Sequence, residues 1–178
     1  VAQELISEVK KPIAAPSANT SGTVSPTTAQ HVADSLGDRV KLILDGGKCR
    51  IGIESTIVRI ATDGPHILRP GGISREQLEQ TLDHQTFEFG KTTTECAASP
   101  GLIGCHYAPR HSLRLNTCRP KPREALLAFG PDQPDIAGRS LNLSPTGNLR
   151  EAAANLFSML RELDKEDCTA IAVMPIPS

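Results

Sequence analysis

Tryptophan is missing from these 178 residues, tyrosine occurs once and aromatics reach only 3%. A core must therefore be built from Leu, Ile, Val and Ala. Base-stacking platforms of the kind that read single-stranded RNA are disfavoured. A charge of one sign is lacking too, with 19 Lys and Arg against 20 Asp and Glu. No overall basic field draws the chain to nucleic acid, although a local basic groove stays open. No apolar run approaches the ~20 residues a membrane helix needs. The five cysteines, Cys49, Cys96, Cys105, Cys118 and Cys168, are odd in number and contain no CxxC pair. Reduced intracellular thiols fit this better than a disulfide framework or a zinc site. Cys105-His106 has nothing nearby at the usual spacing to complete a tetrahedral ligand set. There is no GxGxxG, so dinucleotide binding is unsupported, and no internal repeat.

What is present is ordinary globular composition, 38% hydrophobic and 22% charged, enough for one medium domain or two small ones. The sequence opens at Val1 without an initiator Met or signal peptide. Val1, Leu5 and Val9 follow helical spacing up to Lys10-Lys11-Pro12. It closes on a buried-strand signal, Ile171 to Met174, and then Pro-Ile-Pro-Ser178. A strand with no following element is an odd place for a domain to stop, and the expectation is a fragment.

Along the chain, helix and strand signals alternate to about Phe89. Ile13-Ala14-Ala15 runs into the loop chemistry of Pro16 to Gly22. Ser25-Pro26 predicts an N-cap with Pro at the first helical position. Ala29, Val32, Ala33 and Leu36 share a helical face that Gly37 ends. Val40–Leu44 reads as a strand closed by Asp45-Gly46-Gly47, and Ile51–Ile60 as another strand region. Asp63-Gly64-Pro65 turns the chain into His66–Arg69, and Ser74 to Gln77 reads as a capping box with Ile73 and Leu78 as its staple. Periodicity fades from Gly90 to Pro109, as in a linker. Beyond it, Ala125–Phe129 and Leu141–Leu143 read as strands. Leu149, Ala152, Ala153, Leu156, Leu160 and Leu163 form an apolar helical stripe capped by Asn148. The expected class is α/β: the second half of a twisted mixed sheet with helices over 1–89, a linker over 90–112, and a small, incomplete Rossmann-like domain over 113–178.

Four stretches carry the chemistry. Ala14 to Thr27 gathers hydroxyls, an amide and a glycine between a strand and a helix start. Its backbone N–H groups and hydroxyls can face phosphate oxygens, with Ser25 at the anion-facing end of the helix. A capped helix after a polar turn has the same composition. Glu54-Ser55-Thr56 interrupts an apolar strand with groups whose burial requires partners, a ligand or a network. A Ser-Thr pair on a solvated sheet face is the alternative. Arg69 ends an apolar strand before a Pro-Gly turn, where its fork suits phosphate in a cleft or a surface ion pair. In the linker stand Ser99-Pro-Gly101 and His106-Tyr-Ala-Pro109. Tyr107 can close over a bound ligand or simply anchor the linker.

Taken in order, Pro12-Ile-Ala-Ala-Pro-Ser-Ala-Asn19, Ser21-Gly22, Ser25-Pro26-Thr27, Leu44-Asp-Gly-Gly47, Glu54-Ser-Thr-Ile-Val58 and Ile67-Leu-Arg-Pro-Gly71 resemble the YrdC family. The linker motifs and Leu143-Ser-Pro-Thr-Gly147 resemble its longer two-domain form. The family's amino-terminal half, with a Lys/Arg motif for the triphosphate, has no counterpart here. Leu102-Ile-Gly-Cys105 stands where the family usually has Met and a basic residue.

The resemblance implies an L-threonylcarbamoyladenylate synthase, a nucleotidyltransferase making threonylcarbamoyl-adenylate from threonine, bicarbonate and ATP with Mg²⁺. A separate transferase complex would then modify the tRNA adenosine beside the anticodon, in the cytoplasm. By position, Ala15, Ser17, Asn19, Ser25, Arg69 and Tyr107 would meet ATP, and Ser55 and Thr56 threonine or its carbamate. No catalytic residue and no protein-held metal site is assigned, and the fragment alone is expected to be inactive. A weak tRNA contact is also expected of the synthase; the competing expectations are an RNA-binding module of the same fold, marked by strong and salt-dependent affinity, and a carbamoyl-transfer maturation protein. The latter would need zinc-finger cysteine pairs or an acylphosphatase segment, and neither is present.

Overall fold

The computed structural model describes residues 1–82, 87–89 and 107–177. They form two compact units, Val1–Gly52 together with Ala108–Ser178, and Ile53–Tyr107.

The first unit is organised by a parallel four-stranded sheet. Its strands are β4 (Leu113–Arg114), β5 (Glu124–Ala128), β6 (Ser140–Asn142) and β7 (Ala170–Val173), in the order β4-β7-β5-β6. β5 is central, pairing Leu126 with Ala172 on one side and with Ser140 on the other. A parallel strand covered on both faces reads as an unbroken apolar run rather than an alternation. Ala125-Leu-Leu-Ala128 is such a run, with every residue 0–1% exposed. Helix α4 (Leu149–Leu163) links β6 to β7 and packs on β5 and β6. Its stripe buries Ala152, Phe157, Leu160 and Leu163. Asn148 caps it, accepting from the N–H groups of Arg150 and Glu151. Ser144, fully buried, accepts from Asn148 N and bonds the Glu151 carboxylate.

The amino-terminal segment of this unit carries α1 (Ala2–Val9) and α2 (Ala29–Leu36), followed by a 3-10 turn over Gly37–Arg39. The cap of α2 differs from expectation. Thr28, extended at φ −141°, accepts from His31 N, whereas Ser25 lies buried ahead of the helix. The expected strand over Val40–Leu44 is not formed. Leu42 and Leu44 are 73% and 52% exposed, so the apolar alternation there has no neighbouring strand to bury against.

The second unit holds a mixed three-stranded sheet, with β1 (Ile57–Ala61) antiparallel to β2 (Gly64–Arg69) and β2 parallel to β3 (Glu88–Phe89). The strand expected from Ile51 begins only at Ile57. Helix α3 (Arg75–Thr81) starts with the predicted capping box, Ser74 and Gln77 each bonding the other's backbone. Ile67 and Phe87 are the buried apolar residues here. Ser99-Pro-Gly101, Leu102–Cys105 and His106 lie outside the described residues, as do Cys96 and Cys105 themselves. Among the described residues, Cys49, Cys118 and Cys168 are free, and no helix is long and apolar enough to cross a membrane.

One ion pair locks the sheet's edge. Glu124, buried at the start of β5, accepts from Arg114 Nε at 3.0 Å and from Lys121 N. The guanidinium, foremost, lowers the Glu124 carboxyl from its ordinary 4.5 to about 2. A depressed carboxylate stabilises the fold above its ordinary value and loses that contribution as pH falls through the folded value. Stability from Glu124 should therefore vanish between about pH 4.5 and pH 2. Glu124→Gln is expected to cost about 1.5–3 kcal/mol at neutral pH and to flatten this acid limb, as measured by urea unfolding across the range.

Candidate nucleotide and amino-acid site

The sequence-predicted site residues divide between the two units. In the second unit the loop before β1 and the turn after β2 are forced together. A Cβ on Gly71 would stand 2.4 Å from Ser55 C and Thr56 N, so only glycine lets the Pro70-Gly71-Gly72 turn lie against that backbone. Gly72 N donates to Glu54 O, and Thr56 Oγ1 exchanges bonds with Ile73 O and Ile73 N. This docking fixes where β2 ends, and Arg69 is its last residue.

Arg69 gathers its surroundings. Its Nε and Nη2 donate to Ser55 O at 3.1 and 2.9 Å, and Nη2 also reaches Ser55 Oγ at 3.0 Å. Nη1 donates to the Tyr107 hydroxyl at 3.0 Å. The Glu54 carboxylate lies 3.7 Å away. Arg69, Ser55 and Tyr107 are thus brought together, while Thr56 is turned toward the backbone of Ile73. A planar cation flanked by hydroxyls is suited to carboxylate or phosphate oxygens. Glu54 belongs to the polar trio legible in the sequence, but its pairing with Arg69 is not legible there.

In the first unit, Ala15 and Ser17 are exposed in a stretch without regular structure. Asn19 is held more firmly. Its Nδ2 donates to Thr20 O, Thr23 O and Thr23 Oγ1 at 3.0–3.1 Å. Three acceptors fix the amide's orientation and leave Oδ1 buried without a partner among the described residues. An unsatisfied acceptor of this kind costs about 1–3 kcal/mol, which a ligand donor would recover. Ser25 and Thr27 are 5% and 2% exposed. Thr27 N donates to His31 Nδ1 at 3.2 Å, so that nitrogen carries no proton. His31 and Arg161, which tie this loop down, were not identified from sequence. Their partners lie across tertiary contacts that local spacing does not encode.

With this geometry in hand, comparison with known proteins is informative. A family model described as "Telomere recombination", grouping Sua5, YciO and YrdC, matches residues 1–71. A second, described as "Threonylcarbamoyl-AMP synthase, C-terminal domain", matches residues 73–178. The chain belongs to the threonylcarbamoyl-AMP synthase family. The family's curated member from Pyrococcus abyssi is 33% identical over 185 residues, covering 93% of this chain and 53% of its own length. The Bacillus subtilis threonylcarbamoyl-AMP synthase is 35% identical over 196 residues, covering 99% and 56%. The chain thus spans about half the length of the curated relatives it matches. The solved Sua5 of P. abyssi in complex with L-threonine superposes with a TM-score of 0.83 at 30% identity, covering 99% of this chain and 56% of the other. A variant of it with an adjacent His and Tyr both replaced by alanine gives 0.81 at 28% identity. The YrdC resemblance and the mixed α/β class both agree with these matches.

Burial, followed by the cations Arg161 and Lys165, lowers the His31 pKa from its ordinary 6.5, with Lys48 acting in the same sense and Asp34 opposing. An imidazole held below its ordinary value leaves the unfolded chain to take the proton first, so stability falls as pH drops below about 6.5. In chemical unfolding followed from about pH 7.5 to about pH 5, the wild type should lose stability and His31→Gln should lose less.

Proposed function

We propose that this chain is part of an enzyme that makes threonylcarbamoyl-adenylate from threonine, bicarbonate and ATP, for transfer to the tRNA adenosine beside the anticodon. The observation that carries this reading is the cluster of Arg69, Ser55 and Tyr107, within motifs that resemble the family's. Threonine's amine condenses with bicarbonate, its nitrogen bonding the carbon as water leaves, to give a carbamate. A carbamate oxygen then forms a bond to the α-phosphorus of ATP as the bond to pyrophosphate breaks. Such a transfer depends on positioning and on stabilising charge at the phosphoryl oxygens.

In this reading Arg69 holds phosphate oxygens, with Tyr107 oriented by the same guanidinium. Ser55 and Thr56 meet threonine or its carbamate. Ala15, Ser17, Asn19 and Ser25 line the nucleotide side, and the unpartnered Asn19 Oδ1 accepts a donor. Among the described residues no group of three or more His, Cys, Asp or Glu could hold a metal ion. In this reading Mg²⁺ comes with the phosphates of ATP and supplies charge neutralisation there. The division proposed with it is a catalytic half over 1–89, a linker over 90–112 and a second domain over 113–178. The setting is the cytoplasm, with a separate tRNA-modifying transferase complex as recipient.

The test is production of threonylcarbamoyl-adenylate and pyrophosphate by the intact protein that carries this chain. Product should require threonine, bicarbonate and ATP together; pyrophosphate release indifferent to threonine would sink the reading. The solved variant with its adjacent His and Tyr replaced has a like pair here, His106-Tyr107, and Tyr107 is the only tyrosine. Tyr107→Phe removes one bond to a cation, worth about 1.5–3 kcal/mol. The KM for ATP should rise about tenfold or more, and the thermal midpoint should fall by a few degrees. Parental kinetics in both Tyr107→Phe and Tyr107→Ala would reduce the residue to a linker anchor.

A further inference from the structure

The loop bearing Asn19 and Ser25 is held from the far end of the chain. Arg161, in the last turn of α4, donates from Nη1 to Val24 O at 2.6 Å and from Nη2 to His31 O at 3.1 Å and Ser35 Oγ at 2.6 Å. All three acceptors are neutral, and burial lowers the pKa of the guanidinium below its ordinary value. Two carbonyls and a hydroxyl, with Asp34 and Asp164 only partly opposing the effect of burial, stabilise a cation little after desolvation. What the arrangement supplies is direction, since three donors of one rigid fork fix the Val24 carbonyl relative to α2.

Two further features surround this strut. A cavity of about 300 Å³, lined by Thr20, Thr23, Val24, Asp34, Ser35 and Arg161 among others, opens at the clamp. Val24 itself is buried, 3% exposed, so the clamp holds the carbonyl of a residue whose side chain is already packed. Around the cavity, α4 and the residue just past its cap also meet the amino-terminal segment. Lys165 Nζ reaches Asp34 and Lys48 Nζ reaches Asn155, each at 3.0 Å. Gly52 approaches so closely that a Cβ there would stand 2.2 Å from Ala154 O. The next peptide after Val24 begins Ser25, one of the residues proposed for the nucleotide.

We propose that Arg161 is a positioning residue for the nucleotide loop, so that helix α4 of the carboxyl-terminal domain sets the geometry in which ATP is received. This rests on the proposed function above, and it assigns the carboxyl-terminal domain a part in it. Arg161 touches no substrate in this scheme. It acts through the Val24–Ser25 peptide.

The experiment compares wild type with Arg161→Met and Arg161→Lys in the intact protein. In steady-state kinetics, Arg161→Met should raise the KM for ATP roughly tenfold or more while leaving the KM for threonine within about twofold. Arg161→Lys, able to keep one of the three bonds, should fall between. Independently of any activity, the amide protons of Ser25, Thr27 and Thr28 should exchange at least about tenfold faster in Arg161→Met, with those of β5 unchanged. If the wild type makes no product, the proposed function fails and the exchange arm still decides the role of Arg161. Unchanged exchange at residues 25–28 would overturn the inference. So would equal rises in both KM values, or a uniform loss of protection through β5, which would mark Arg161 as merely structural.

Discussion

Helix α4 must satisfy two surfaces that make opposite demands, and the first unit is organised around the way it does so. One face carries Ala152, Phe157, Leu160 and Leu163 into the parallel sheet, each large side chain contributing about 1.5–3 kcal/mol of burial. The other face meets backbone of the amino-terminal segment through Ala154 and Arg161. The apolar face fixes the helix on the sheet, and the polar face passes that placement on to the loop. Hydrophobic burial is tolerant of small shifts, whereas a close approach such as Gly52 to Ala154 is not.

The second unit solves a similar problem without a helix. Its polar cluster stands at the end of a strand, where the turn after Arg69 folds back onto the backbone of Glu54, Ser55 and Thr56. That contact needs a residue with no side chain at position 71, and it places a guanidinium against a carbonyl and a hydroxyl of the neighbouring loop. Arginine is the suitable residue because its fork can serve Ser55 and Tyr107 at once. A lysine could supply the charge but not both directions.

Local signals in the sequence were legible where the interaction was itself local. The Ser74–Gln77 capping box spans three residues, the stripe of α4 repeats every turn, and the apolar run of β5 reflects burial on two faces. Each can be read without knowing what lies across the fold. Ser25-Pro26 misled because the pattern of an N-cap is satisfied equally by a loop. The cap passes to Thr28 while Ser25 is buried and the carbonyl before it is taken by Arg161. Val40–Leu44 misled because alternation registers apolar side chains, not the presence of a partner strand. In the candidate site, Arg69 and Ser55 were legible through their motifs. Arg161 was not, since on a helix it looks like any solvated basic residue, and its first acceptor is 137 positions away.

The first unit is also interrupted in sequence, its two parts being Val1–Gly52 and Ala108–Ser178 with the other unit between them. On a ribosome, the loop around Val24 is made well before the helix that steadies it. At the usual elongation rate of about 5–20 residues per second, the wait is roughly 5–30 s. Through that interval the nascent segment exposes the backbone that Arg161 later covers. Its final form is reached only when the carboxyl-terminal strands have assembled. The backbone around Val24 thereby depends on a residue made 137 positions later.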